Sequence, residues 1–145
     1  MRLAIRVLRT LAVGLALGAC GGDGGDDPFT PTEETVAGNY SAFTFTLTSS
    51  LGTVDLLALG STVTVALAAD GTTSGRLFVP GGAEGGGDLD VDLAGTWTLA
   101  GTTVTFNQTA DTFIRDVDFT VAPNQLSAEG TFNGDVVRLV LRKSG

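Results

Sequence analysis

From Val36 onward the chain alternates apolar and polar residues with a period of two. Phe43, Phe45 and Leu47 alternate with Thr44, Thr46 and Thr48, and Val63, Val65 and Leu67 with Thr62, Thr64 and Ala66. Leu89, Val91 and Leu93 alternate with Asp88, Asp90 and Asp92, and the series runs on through Gly95, Trp97 and Leu99. Val104 and Phe106 face away from Thr103 and Thr105. Phe113, Val117 and Phe119 oppose Ile114, Asp116 and Asp118, and Leu126, Ala128, Gly130 and Phe132 oppose Ser127, Glu129 and Thr131. Val137, Leu139 and Leu141 oppose Arg138 and Arg142. Each series predicts a half-buried strand. Turn signals separate them: Asp70-Gly71, Ala100-Gly101, Pro123-Asn124 and Asn133-Gly134. Asn-Gly and Asp-Gly suit two-residue hairpins, which need positive φ. Segment 51–59, with Leu56-Leu57-Ala58-Leu59, fits either a short strand or a helical turn.

Short sequential links predict an antiparallel meander of about eight strands. The expected fold is all-β, one small up-and-down barrel, because closure removes both sheet edges. A two-sheet sandwich is the alternative. Glycines 75, 95 and 130 lie inside strands and suit the bending that a small barrel needs. An outer-membrane barrel has the same period with its apolar face outward. A single Trp and a single Tyr are too few for two aromatic girdles. The apolar face is therefore expected inside, with Phe43, Phe45, Trp97, Phe106, Phe113 and Phe119 in the interior.

Composition agrees. The 145 residues are room for one domain, 43% are hydrophobic, and glycine and threonine each occur 21 times. There is no histidine and only one cysteine. That excludes Ser-His-Asp and Cys-His catalysis, intramolecular disulfides and zinc sites built from His and Cys.

The first twenty residues form an address. Arg2, Arg6 and Arg9 precede the apolar run Leu11–Leu17, then Gly18, Ala19 and Cys20. This is the three-part pattern of a secretory signal, and the run is too short to span a bilayer. Leu17-Gly18-Ala19-Cys20 resembles the lipobox of bacterial lipoproteins. The resemblance implies cleavage before Cys20, diacylglycerol on its sulfur and acylation of its new amino group, palmitate among the chains. It also implies a membrane anchor, since more than one acyl chain makes attachment stable. Gly21 and Gly22 follow the cysteine in place of aspartate, which by the family's sorting rule implies the outer membrane of a bacterial envelope.

The expected division is residues 1–19 as signal, 20–35 as lipidated cysteine and flexible acidic tether, and 36–145 as the barrel domain. Residues 21–35 are dominated by glycine, proline and acid, so they predict no core. Gly21-Gly22-Asp23-Gly24-Gly25-Asp26 matches the start of a calcium-binding nonapeptide. That motif works in tandem, and Pro28 stands at its apolar position, so a linker is expected. Loss of the signal leaves 5 basic against 16 acidic side chains. Such a chain is repelled by nucleic acid, and its attachment to membrane must come from lipid.

Gly38-Asn39-Tyr40 and Gly95-Thr96-Trp97 are a faint internal repeat. Glycine, any residue, then an aromatic at a strand start resembles the lipocalin-like (calycin) barrels over residues 36–145. In that family the aromatic is tryptophan on the first strand, beneath an arginine that closes the barrel floor. Here tyrosine takes that place and tryptophan lies mid-chain. The resemblance nominates Tyr40 and Trp97 as contacts to a floor or a ligand, and Arg115 joins them from its own place in the pattern. Arg115 falls on the apolar face of 113–119, and a charge facing a core must be paired or stacked.

Other chemistry is weak. Asp88, Asp90 and Asp92 start like an EF-hand but lack its glycine and glutamate. They are expected to form a solvated face that deters edge pairing. Gly81–Gly87 lacks the lysine of a phosphate loop. No catalytic residue, metal or cofactor is expected. The expected function is a non-enzymatic, membrane-anchored interaction or structural module with an envelope protein as partner. The alternative is a calyx that holds a small apolar ligand.

Overall fold

A computed structural model describes residues 28–144. The expected signal segment, Cys20 and the start of the expected tether lie outside the described residues.

Two helical turns, α1 (Glu33–Val36) and α2 (Phe113–Asp116), accompany ten strands. The strands are β1 (Gly38–Ser49), β2 (Gly52–Asp55), β3 (Thr62–Leu67), β4 (Thr72–Val79) and β5 (Leu89–Asp92). They continue as β6 (Gly95–Ala100), β7 (Thr103–Gln108), β8 (Asp118–Ala122), β9 (Gln125–Phe132) and β10 (Asp135–Lys143). Eight of them form an antiparallel ring in the order β1, β3, β4, β6, β7, β8, β9, β10, and β10 pairs back onto β1. The expected barrel therefore forms, and the sandwich does not, because one sheet closes on itself. The shape is compatible with a calycin-like fold. β2 pairs with β1 and β5 with β4, outside the ring.

The ring is strongly staggered. Gly38 connects through Leu67, Thr73 and Gly95 to Gln108 on one side. Thr103 connects through Thr120, Ser127 and Val140 to Thr44 on the other. The two paths together displace β1 against itself by about ten residues, a shear that tilts the eight strands steeply around an interior that side chains can fill.

Most of the expected alternation is realised. Val63, Val65, Leu67, Trp97, Val104, Phe106, Phe119, Leu126, Leu139 and Leu141 all face a buried core. Positive φ at Gly71, Gly101, Asn124, Asn133 and Gly134 sits at the turns that the sequence marks. The series read as one strand over 88–99 is β5 plus β6. Val79 opposite Leu89, Arg76 opposite Asp92 and Thr73 opposite Gly95 keep one register along β4. Only Leu93–Ala94 interrupts it.

Two expectations are corrected, and one open segment is settled. Phe43 does not face the core; it is exposed. The β1–β10 register shifts between Ala42 and Thr44, so Phe43 is the extra residue of a β-bulge. The bulge reverses the alternation: Tyr40 and Ala42 point inward before it, Phe45 and Leu47 after it. Phe43 lies instead under the Arg142 guanidinium, 3.4 Å from its ring centre, a cation–π contact on the outer wall. Second, 112–121 is not one strand. Phe113–Asp116 turn helically before β8, and Ile114 drops fully into the core. Phe113 stacks on Phe45 at 5.5 Å and meets Phe132 edge-on at 5.9 Å. The open segment 51–59 takes the short-strand alternative, a four-residue strand, β2, followed by a turn. Asp55 Oδ1 accepts from the Leu57 and Ala58 N–H groups and starts that turn.

Gly75 shows how tightly the strands cross. Its φ is +150°, and a Cβ there would collide with the Thr64 carbonyl oxygen. Gly75→Ala is expected to lower stability by about 3 kcal/mol or more. Gly87→Ala, which meets nothing within 4 Å, should change it by less than about 0.5 kcal/mol. Denaturant midpoints of the two variants check this; equal midpoints would contradict the close crossing.

Candidate functional site

The lower mouth of the barrel is built from the segment that enters the first ring strand and the end of the last one. Thr32 and Thr35 form a reciprocal cap on α1: Thr35 N–H donates to Thr32 Oγ1, and Thr32 N–H to Thr35 Oγ1. The cap lets so short a turn persist and drives Val36 into the core, where it is buried. The junction between the expected tether and the domain is thus ordered from Pro31, itself buried. Tyr40 hydroxyl donates to the Val36 carbonyl at 2.6 Å. Lys143 Nζ donates to the Thr35 carbonyl at 2.9 Å, and Lys143 stands opposite Tyr40 in the β1–β10 register. Its stem lies where a Cβ of Gly38 would be, at φ +149°. At this mouth Tyr40 and Lys143 both donate to carbonyls of α1, so the first and last ring strands hold the same helical turn. Lys143 was not singled out from the sequence, although it is the only lysine and ends the last strand.

Trp97 repeats the Tyr40 arrangement. It is buried, and its Nε1–H donates to the Ala68 carbonyl at 2.8 Å. Both aromatics spend their polar atom on a backbone carbonyl and their rings on the core, so each has a satisfied structural place. Arg115 is not with them. It sits on α2 at the upper end, one-third exposed, paired with Asp111 and Asp116. Those carboxylates, Asp116 foremost, raise its already high pKa.

The interior is filled. Phe106 and Phe119 meet edge-on at 5.2 Å, and Leu77, Leu93, Ile114, Leu126, Leu139 and Leu141 are fully buried around them. α1 stoppers one mouth and α2 the other.

Concave surface lies outside. One hollow of about 440 Å³ on the β8–β9–β10 wall is lined by Asp118, Glu129 and Arg138 among others. Three more, of about 330, 270 and 190 Å³, follow one another along β1, β3 and β4. The first two share Asn39 and Ala66; the second and third share Ser41 and Thr64. Together they make one furrow, and no charged residue lines it. The cause is in the sequence: between Glu34 and Asp70 the only charge is Asp55. Two buried hydroxyls with no partner among the described residues belong to furrow-lining residues, Ser61 and Thr73. Buried polar groups are ordinarily paired, and Thr112 Oγ1 and Gln108 Oε1, away from the furrow, are the other two exceptions among the described residues.

The acidic stretch is structural. Asp90 pairs with Arg76, which holds its carboxyl below the usual range, and Asp88 accepts from the Gly81 N–H at 2.9 Å. Among the described residues no three acids gather where a metal ion would sit. No family model, curated protein or solved structure matches the chain.

Burial raises the Tyr40 pKa above the usual value of 10.0. The neutral phenol is favoured in the fold, so its stabilisation is complete below about pH 10 and is lost as pH climbs through the raised native value. Because the chain has one tyrosine, the tyrosinate absorbance reports it alone. The native chain should ionise at higher pH than the urea-unfolded chain, and Tyr40→Phe should cost about 1 kcal/mol at neutral pH. Equal ionisation in both states would contradict the buried hydrogen bond.

Proposed function

We propose that the chain is a lipid-anchored protein of a bacterial envelope, held through Cys20 at the outer membrane. Its barrel is a non-enzymatic module that works by contact through its outer wall, and its partner is another envelope protein. The observation that carries this reading is the contrast between a filled, doubly stoppered interior and an uncharged furrow outside. Side chains packed across an eight-strand barrel leave a ligand little room inside. A neutral strip on an acidic surface lowers the desolvation and repulsion that docking must overcome. The lipobox-like segment supplies the anchor, and the acidic balance keeps the barrel off anionic headgroups.

The full chain, produced in a bacterial host, is expected to take up labelled palmitate and to sediment with membranes. Cys20→Ala should lose both. Native mass spectrometry of the Cys20→Ala protein, after incubation with a lipid extract, should give the bare polypeptide mass. A soluble, unlabelled wild-type protein would overturn the anchor. A reproducible adduct of a few hundred daltons would overturn the contact reading in favour of a calyx.

A further inference from the structure

The cations of the described residues are unevenly placed. Arg76 pairs with Asp90, and Arg115 with Asp111 and Asp116. The others, Arg138, Arg142 and Lys143, all lie on β10. Across the closing seam β1 carries no charge, and after Asp135 β10 carries no acid. Elsewhere on the ring β6 and β7 are uncharged, and β8 and β9 hold Asp118 and Glu129. The β1–β10 seam is therefore the one wall of the ring with positive charge that no acid neutralises. Lys143 is committed to the Thr35 carbonyl. Arg138 and Arg142 are exposed, and among the described residues neither guanidinium meets a carboxylate. Glu129 stands directly opposite Arg138, and still no ion pair joins them. β10 runs against β9 without a shift, so the two arginines stand on one face about 13 Å apart. Val140 lies between them, buried yet outside the core cluster. The bulge sets Phe43 beside them, 55% exposed, with the Arg142 guanidinium over its ring. A guanidinium held there keeps its N–H edge for an acceptor and loses little freedom on binding.

We infer that this seam docks an extended acidic segment of a partner protein, laid along β10 beside Phe43. The segment carries two carboxylates four residues apart and an apolar residue midway. The inference rests on the reading that the barrel works through its outer wall, and it names the chemistry of the partner. Spacing and charge select the occupant together. Carboxylates four apart on an extended chain share one face and are also separated by about 13 Å, so each meets one guanidinium in a charge-assisted pair. The residue midway falls over Val140 and against the Phe43 ring. Ser41 and Thr46, opposite Arg142 and Arg138 on β1, border the segment with neutral hydroxyls. Width selects a single segment over a broad anionic surface. Glu129 and Asp118 line the hollow beside Arg138, and a bilayer of anionic lipid pressed on this wall would face them as well. A segment one strand wide covers the seam alone.

The full chain is exported from a bacterial host with Cys20→Ser, so that acyl chains play no part. It is titrated at low salt into a fluorescent, end-capped peptide that contains Glu-Thr-Val-Thr-Glu, and anisotropy is followed. Saturable binding is expected. Arg138→Gln and Arg142→Gln should each weaken it by about threefold or more. Arg76→Gln, on β4 and away from the seam, should leave it within about twofold. A peptide with its two glutamates adjacent should bind more weakly than the spaced one. All three arginines are exposed, so far-ultraviolet circular dichroism should match wild type for each variant. No saturable binding, equal weakening by the three variants, or equal binding of the two peptides would overturn the inference. Binding to phosphatidylglycerol vesicles in place of the peptide would overturn it in favour of a bilayer. None of these results touches palmitate uptake or the bare polypeptide mass, so the two readings fail separately.

Discussion

Closure of the sheet is the constraint on which the rest depends. β1 must serve two neighbours at once, β10 along one edge and β3 with β2 along the other. Twelve residues are long enough to do so only if the strand coils strongly. The bulge at Phe43 supplies that coil and changes which face of β1 is inward. Gly75 supplies a second sharp crossing, where the β4 backbone runs against Thr64. Without these two irregularities the strands would splay, and β1 and β10 would be left as open edges.

A closed barrel of eight strands has an interior that side chains can fill, and aromatic and branched side chains pack it here. The ends then become the problem, because a barrel mouth exposes the core to water. Each mouth is stoppered by one helical turn that contributes one aliphatic residue: Val36 below, Ile114 above. The lower stopper is held by three polar contacts that cost no buried charge. They are the Thr32–Thr35 cap, the Tyr40 hydroxyl on Val36 and the Lys143 ammonium on Thr35. The first and last strands are thereby fastened to each other at the mouth as well as along their edges.

What was legible in the sequence was whatever obeys a period. Alternation located the ring strands, and Gly and Asn marked the hairpins, because both signals come from the pleat and from φ. What broke the period was missed for identifiable reasons. Tyr40 and Phe43 are both aromatic and three apart, so one regular strand cannot bury both, and the alternation alone does not show which of them a bulge turns outward. In 112–121, Phe113, Ile114 and Val117 have helical spacing and follow a threonine, whereas a strand would set Arg115 facing the core. The arginine was the warning, since turning those residues into a helix frees it to reach Asp111 and Asp116. Lys143 carried no local signal at all. Its role depends on a register that joins residues a hundred positions apart. The neutral furrow is likewise written in the sequence as a gap in charge. Its meaning appears only when β1 and β3 are seen side by side.

Amide hydrogen exchange along β1 and β10 tests the closed, filled barrel most directly. Tyr40–Thr48 and Val136–Lys143 are paired with each other along one seam. The account predicts that amides donated across this seam exchange only with global unfolding, as slowly as those of the β9–β10 hairpin. Fast exchange confined to that seam, with β9–β10 still protected, would mean an open sheet with two edges and would contradict the account.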